Sequence, residues 1–106
     1  MQSPSGMQWD DGNLTKCQAH GVSLAEISEV FEGEPYYVPD ERHSHVEPRL
    51  LAIGKTRAGR AVFVAFTIRE QDGQRLARPI SARYMHRKEA KRYDQFWRTQ
   101  GSGDDD

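Results

Sequence analysis

Arg69, Arg83, His43 and Glu47 are the residues of this chain whose types and spacing could do chemistry. Arg69 and Arg83 each fall at the end of an apolar, strand-like run, Ala61 to Ile68 and Ile80 to Ala82. A sheet would therefore hold both guanidiniums. A guanidinium is planar, stays protonated and grips two phosphate oxygens at once. His43 and Glu47 lie in a polar stretch from Pro39 to Pro48. Histidine exchanges protons near neutrality, and loops often carry functional side chains. Together these types suit the cutting of RNA without a metal. That reaction needs a base for a 2′-hydroxyl, cations for the five-coordinate phosphorus and an acid for the leaving 5′-oxygen. Each residue also has a plainer reading. The arginines could pair with acidic side chains of the first half, and His43 could tether its loop. His86, Glu89 and Tyr93 are further proton-transfer candidates, with Glu89 equally suited to a helix start and Tyr93 to the core.

A second group could hold a nucleic-acid chain without reacting with it. Arg87, Lys88, Lys91 and Arg92 form two basic pairs just after the strand end, and Lys55 and Arg60 add to them. Positive charge where a sheet meets a helix suits phosphate. Phe96 and Trp97 could stack on bases, or anchor a helix to the core. His43-Ser44-His45 with Glu47 has weak metal-ligand spacing. No phosphate-cradling glycine loop is present. No metal or cofactor is expected.

The 106 residues suffice for one core. No stretch is apolar enough to span a membrane, the start is polar, and Cys17 is the only cysteine. A cytoplasmic protein without internal disulfides is expected, with Cys17 as a small buried residue. The net charge of -1 hides an asymmetry. Residues 1–53 carry three basic and nine acidic side chains; residues 54–100 carry twelve basic and four acidic. Either a basic working face is set against an acidic back, or the halves neutralise each other across the domain.

The elements that must position these residues follow from pattern. Residues 1–6 and 99–106 read as disordered ends, the latter acidic, around one domain at 7–98. A helix is expected over 13–20, closed at His20-Gly21. Ser23 and Glu26 form a capping box for a second, carrying Leu24, Ile27, Val30 and Phe31 at helical spacing until Gly33 and Pro35. Tyr36 to Val38, Leu50 to Ile53, Ala61 to Ile68 and a strand over 76–84 give a four-stranded antiparallel meander. Arg57-Ala58-Gly59 and Asp72-Gly73 turn it. Pro79 favours an edge or a bulge, and the register that decides which face Arg83 takes stays open. A last helix over 86–98 starts at His86, a weak cap, with Glu89 three residues on. The fold class is α+β: two helices, the meander, one helix.

In this order the motifs resemble the BrnT family of ribonuclease toxins from type II toxin–antitoxin systems. Trp9-Asp10 opens the domain and His20-Gly21-Val22-Ser23 joins its helices. Asp40, His43-Ser44, Glu47 and Arg49 fit D-x-x-H-S-x-x-E-x-R. Ile53-Gly54, Gly59-Arg60, Phe66-Thr67-x-Arg69, Ile80-Ser81-Ala82-Arg83, Glu89 and Tyr93 complete the set. The chain lacks the lysine usual after Trp-Asp, has His86 where Thr is common, and has a hairpin loop around Asp72 that is longer than typical. The resemblance implies a RelE-like fold and a metal-independent endoribonuclease that inhibits translation and arrests growth. It also implies a cognate ribbon-helix-helix (BrnA-like) antitoxin, through which the complex would reach operator DNA. A subunit that binds nucleic acid or acts as a co-repressor without catalysis is the alternative, and a plain protein-interaction module is another.

Overall fold

The computed structural model describes residues 4–43 and 47–94, at His43 the backbone alone. Its elements are β1 (Gly6–Met7), α1 (Leu14–Cys17), α2 (Leu24–Glu32), β2 (Tyr36–Pro39), a 3₁₀ turn (Glu41–His43), β3 (Leu50–Lys55), β4 (Ala61–Gln71) and β5 (Gln74–Tyr84). A last helix, α3, covers 87–94. Residues 1–3, the expected acidic tail at 99–106, Phe96 and Trp97 lie outside the described residues.

The α+β class holds, but the sheet has five strands and is mixed, in the order β1-β5-β4-β3-β2. From β2 to β5 it is the expected antiparallel meander. The departure is β1, which pairs parallel to β5, Gly6 opposite Leu76 and Met7 opposite Ala77. Two residues carry no alternating pattern, so nothing local marks them as a strand. Main-chain bonds hold them: the Ser5 N–H donates to Arg75 O and the Gln8 N–H to Ala77 O, both at 2.8 Å. Gly6, expected in the polar end, is thus part of the sheet.

One sheet face carries the core. α2 starts at the expected capping box: the Glu26 N–H donates to Ser23 Oγ, and the Ser23 N–H to Glu26 Oε1. Its Ile27 and Val30 are buried against Val62, Val64 and Phe66 of β4 and Ala82 of β5. Phe31 meets Phe66 edge-on at 5.1 Å, and Tyr37 meets it at 5.8 Å. Cys17 lies in this core at 0% exposure, and burial raises its thiol pKa to about 11. The close seat of α2 depends on Gly54, where a Cβ would stand 3.0 Å from Pro35 Cβ and 3.2 Å from Val30 Cγ1. Pro35 and Val30 are both buried and pinned. Gly54→Ala is therefore expected to lose about 1–2 kcal/mol, a net of overpacking against the entropy gained in the unfolded chain. A melting temperature at or above that of the native chain would contradict this.

α1 is shorter than expected. The bonds after it run i→i−3, from Gln18 to Thr15, Ala19 to Lys16 and Gly21 to Gln18, so the helix tightens into turns before Gly21 at φ +89°. Asn13 does not cap it with its side chain; its Nδ2 donates to Gln8 O and Pro79 O instead. That tertiary use ties α1 to the edge of β5.

The β4–β5 hairpin turns tightly at Asp72-Gly73, with φ of 52° and 79°. Its length lies in the strands and not in the loop. The register places Phe63 opposite Arg83 and Thr67 opposite Arg78, and between them Ile80 is an unpaired bulge residue beside Pro79. Pro79 thus sits at a bulge, one of the two places expected for it, its carbonyl turned to Asn13. α3 packs on the sheet face away from α2, Tyr93 meeting Phe63 edge-on at 5.6 Å.

Candidate active site

The face opposite α2 holds an open cleft of about 670 Å³. Its floor is one cross-strand row, Leu51, Ala65 and Ser81, which are register partners on β3, β4 and β5. The next row is Ile53, Phe63 and Arg83. Small side chains at 65 and 81 beside large ones at 63 and 83 hollow the sheet surface. Arg83 and Tyr93 stand at one end. Pro39 to Arg42, with Arg49, stand at the other, and His20 flanks it.

Arg83 is the sequence-predicted residue that this cleft contains. Its Nη1 and Nη2 donate to Glu89 Oε1 and Oε2, both at 2.8 Å, a fork on a fork. Its guanidinium carbon lies 4.7 Å from the Phe63 ring centre. Glu89 Oε1 also accepts the His86 N–H at 2.9 Å, so one carboxylate starts α3 and aims Arg83. The Arg83 bonds, then the His86 N–H, lower the Glu89 pKa from 4.5 to about 2, and Arg83's own rises. An acid that weak as a base cannot take up a proton at neutral pH. Glu89 holds a cation in place.

The other predicted residues are placed differently. Arg69 and Glu47 meet each other, Arg69 Nη2 to Glu47 Oε1 at 2.8 Å, away from the main cleft. For Arg69 the plainer reading, a pair with the acidic half, is what the fold realises. Arg57 with Glu32 and Arg78 with Asp10 do the same, so the two halves do neutralise each other in part. The side chain of His43 lies outside the described residues, as do Ser44 and His45, although the 3₁₀ turn that carries His43 borders the cleft. Lys55 reaches Asp94 of α3 at 3.4 Å. Arg60 lies on the other face, over the Tyr84 ring at 3.5 Å, where the Tyr84 hydroxyl donates to Glu26. It does not converge with the cleft. Arg87, Lys88, Lys91 and Arg92 are exposed on α3 and do not line the cleft.

Among the lining residues that were not expected in the site are His20 and Arg42. His20 stands in the sequence at an expected helix end, and Arg42 lies within the polar stretch from Pro39 to Pro48 with no role marked by the pattern. Their signal is weak locally: His20 lies far from β5 in sequence, and Arg42 is set beside β3 only once β2 and β3 pair. Arg49 was visible within the D-x-x-H-S-x-x-E-x-R pattern, and Tyr93 was weighed between chemistry and core.

Among the described residues no helix is long and apolar enough to cross a membrane. No curated protein matches the chain. A family model does, over residues 9–89, under the description "Ribonuclease toxin, BrnT, of type II toxin-antitoxin system". The matched span runs from Trp9 to Glu89 and so includes the strand end at Arg83 and the carboxylate that aims it. It covers well over half of the sequence, and with it the chain belongs to the BrnT family of type II toxin–antitoxin ribonuclease toxins.

Proposed function

We propose that the chain is a metal-independent endoribonuclease that cuts single-stranded RNA in the cleft over Ala65 and Ser81. The observation that carries this is Arg83: a cation fixed at the edge of an open hollow, with N–H groups left over beyond those on Glu89 and the Tyr84 carbonyl. A base removes the proton of a 2′-hydroxyl, its oxygen bonds to the adjacent phosphorus, and the P–O5′ bond breaks as an acid protonates the leaving oxygen. The products are a 2′,3′-cyclic phosphate and a 5′-hydroxyl. Arg83 stabilises the charge on the phosphoryl oxygens. His20 and Tyr93 in the cleft, and His43 on its bordering turn, are the groups for the two proton transfers. Arg69 and Glu47 serve the flank of the site. Arg87, Lys88, Lys91 and Arg92, with Lys55, position RNA or meet the antitoxin. The reading also includes a cytoplasmic setting and a cognate ribbon-helix-helix antitoxin that covers the same sheet face and links the complex to operator DNA.

The test is incubation of the purified chain with end-labelled RNA in EDTA. Cyclic-phosphate ends, and their suppression by the product of the neighbouring reading frame, are expected. Salt-dependent binding of RNA with no cut product from pH 5 to 9 would favour the non-catalytic subunit and overturn the proposal.

A further inference from the structure

We infer that a second, smaller hollow beside the cleft holds another phosphate of the same RNA strand, about two phosphate steps along. This rests on the ribonuclease reading for the identity of the strand. The hollow measures about 200 Å³ and lies where α1 meets β5. Thr67 and Arg78, register partners, form its sheet side, and Lys16 of α1 and Arg49 stand around it. Arg49 borders both the hollow and the main cleft. Thr67 stands opposite Arg78 as Phe63 stands opposite Arg83, and residues 63 and 67 point to one face of β4. Four residues of strand separate the two rows, roughly 13 Å. An extended single strand covers that span in about two phosphate steps.

Charge supports the assignment. Lys16, Arg42 and Arg49 are the basic residues that precede position 54. In a segment otherwise dominated by carboxylates, each of them lines the cleft or the hollow. Arg78 is held by Asp10 at 2.7 and 3.0 Å, and the Glu47 carboxylate in the hollow is matched by Arg69 at 2.8 Å. Lys16 is exposed and has no ion pair among the described residues. Among the described residues, it therefore adds positive charge that no carboxylate pairs. The Thr67 hydroxyl is closed off from solvent and lacks a hydrogen-bond partner among the described residues, so it is not counted among the groups that hold the phosphate.

The experiment compares two uncuttable probes, a mixed-sequence eight-nucleotide 2′-O-methyl RNA and a 2′-O-methyl dinucleotide, by fluorescence anisotropy between 50 and 200 mM salt. Lys16→Gln is expected to weaken the long probe by roughly 3- to 10-fold and to lower its salt slope by about 0.7, the value for one phosphate contact on a single strand. Affinity for the dinucleotide should not change, and Lys16→Arg should restore the slope. Equal losses for both probes, or an unchanged slope, would overturn the inference. So would a loss confined to the antitoxin complex, which would assign the hollow to a protein partner. Absence of cleavage by the native chain would sink the ribonuclease reading alone, because these probes report on the hollow directly.

Discussion

Alanine at position 83 is expected to slow RNA cleavage by roughly 10²- to 10³-fold and to abolish growth arrest on induced expression. The magnitude is that of losing a preorganised donor to a developing charge. Arg83 is preorganised in two ways: Glu89 grips its end and the Phe63 ring supports its face. Arg83→Lys should recover only a small part of the rate. An ammonium is a point charge, and it can neither answer both carboxylate oxygens in one plane nor stack on the ring. Stability should fall only modestly, because the coupling of Arg83 to Glu89 is screened at an Arg83 side chain that is 45% exposed. Initial cleavage rates beside melting curves check both statements. A rate within tenfold of the native chain in a folded Arg83→Ala protein would remove Arg83 from the chemistry.

Glu89→Ala is expected to cost about 10- to 100-fold in cleavage rate, chiefly in kcat, by letting Arg83 wander. Glu89→Gln tests the charge separately, since an amide oxygen can still accept from the His86 N–H. The sign with pH follows from the shift. Glu89 has a folded pKa of about 2, below its ordinary 4.5. Its ionised form thus adds stability above about 4.5, and this is lost as pH falls towards 2. The difference in melting temperature between the native chain and Glu89→Gln should be steady above pH 5 and should narrow through that window. A gap that stays constant down to pH 2 would mean that the fork seen at Arg83 carries no coupling in solution.

Much of the frame was legible because its signals are local. Ser23 and Glu26 cap α2 three residues apart, Asp72-Gly73 turns a hairpin by backbone conformation, and Ile27 and Val30 recur at helical spacing. What was not legible depends on partners distant in sequence. β1 is too short to show a pattern and exists because β5 offers it a ladder. α1 starts without a side-chain cap because Asn13 spends its side chain on Pro79, sixty-six residues away. The site shows the same division. Arg83 could be named from a strand end, whereas its fork on Glu89 needs the turn after β5 to bring α3 back. His20 and Arg42 meet in the cleft only through the tertiary path of two separate segments.

The bulge at Ile80 has a consequence for how this surface is encoded. Arg78 and Arg83 are five positions apart, an odd number, and in an uninterrupted strand they would point to opposite sides. The extra residue makes the effective step even, so both guanidiniums rise from one face. The shared face is thus a matter of phase and not of composition. Deleting one residue between them would keep every charged group and yet turn one row of them over. Changes of length should be tolerated at the Asp72-Gly73 tip, and between 78 and 83 they would rewrite the surface while leaving the amino-acid inventory almost untouched.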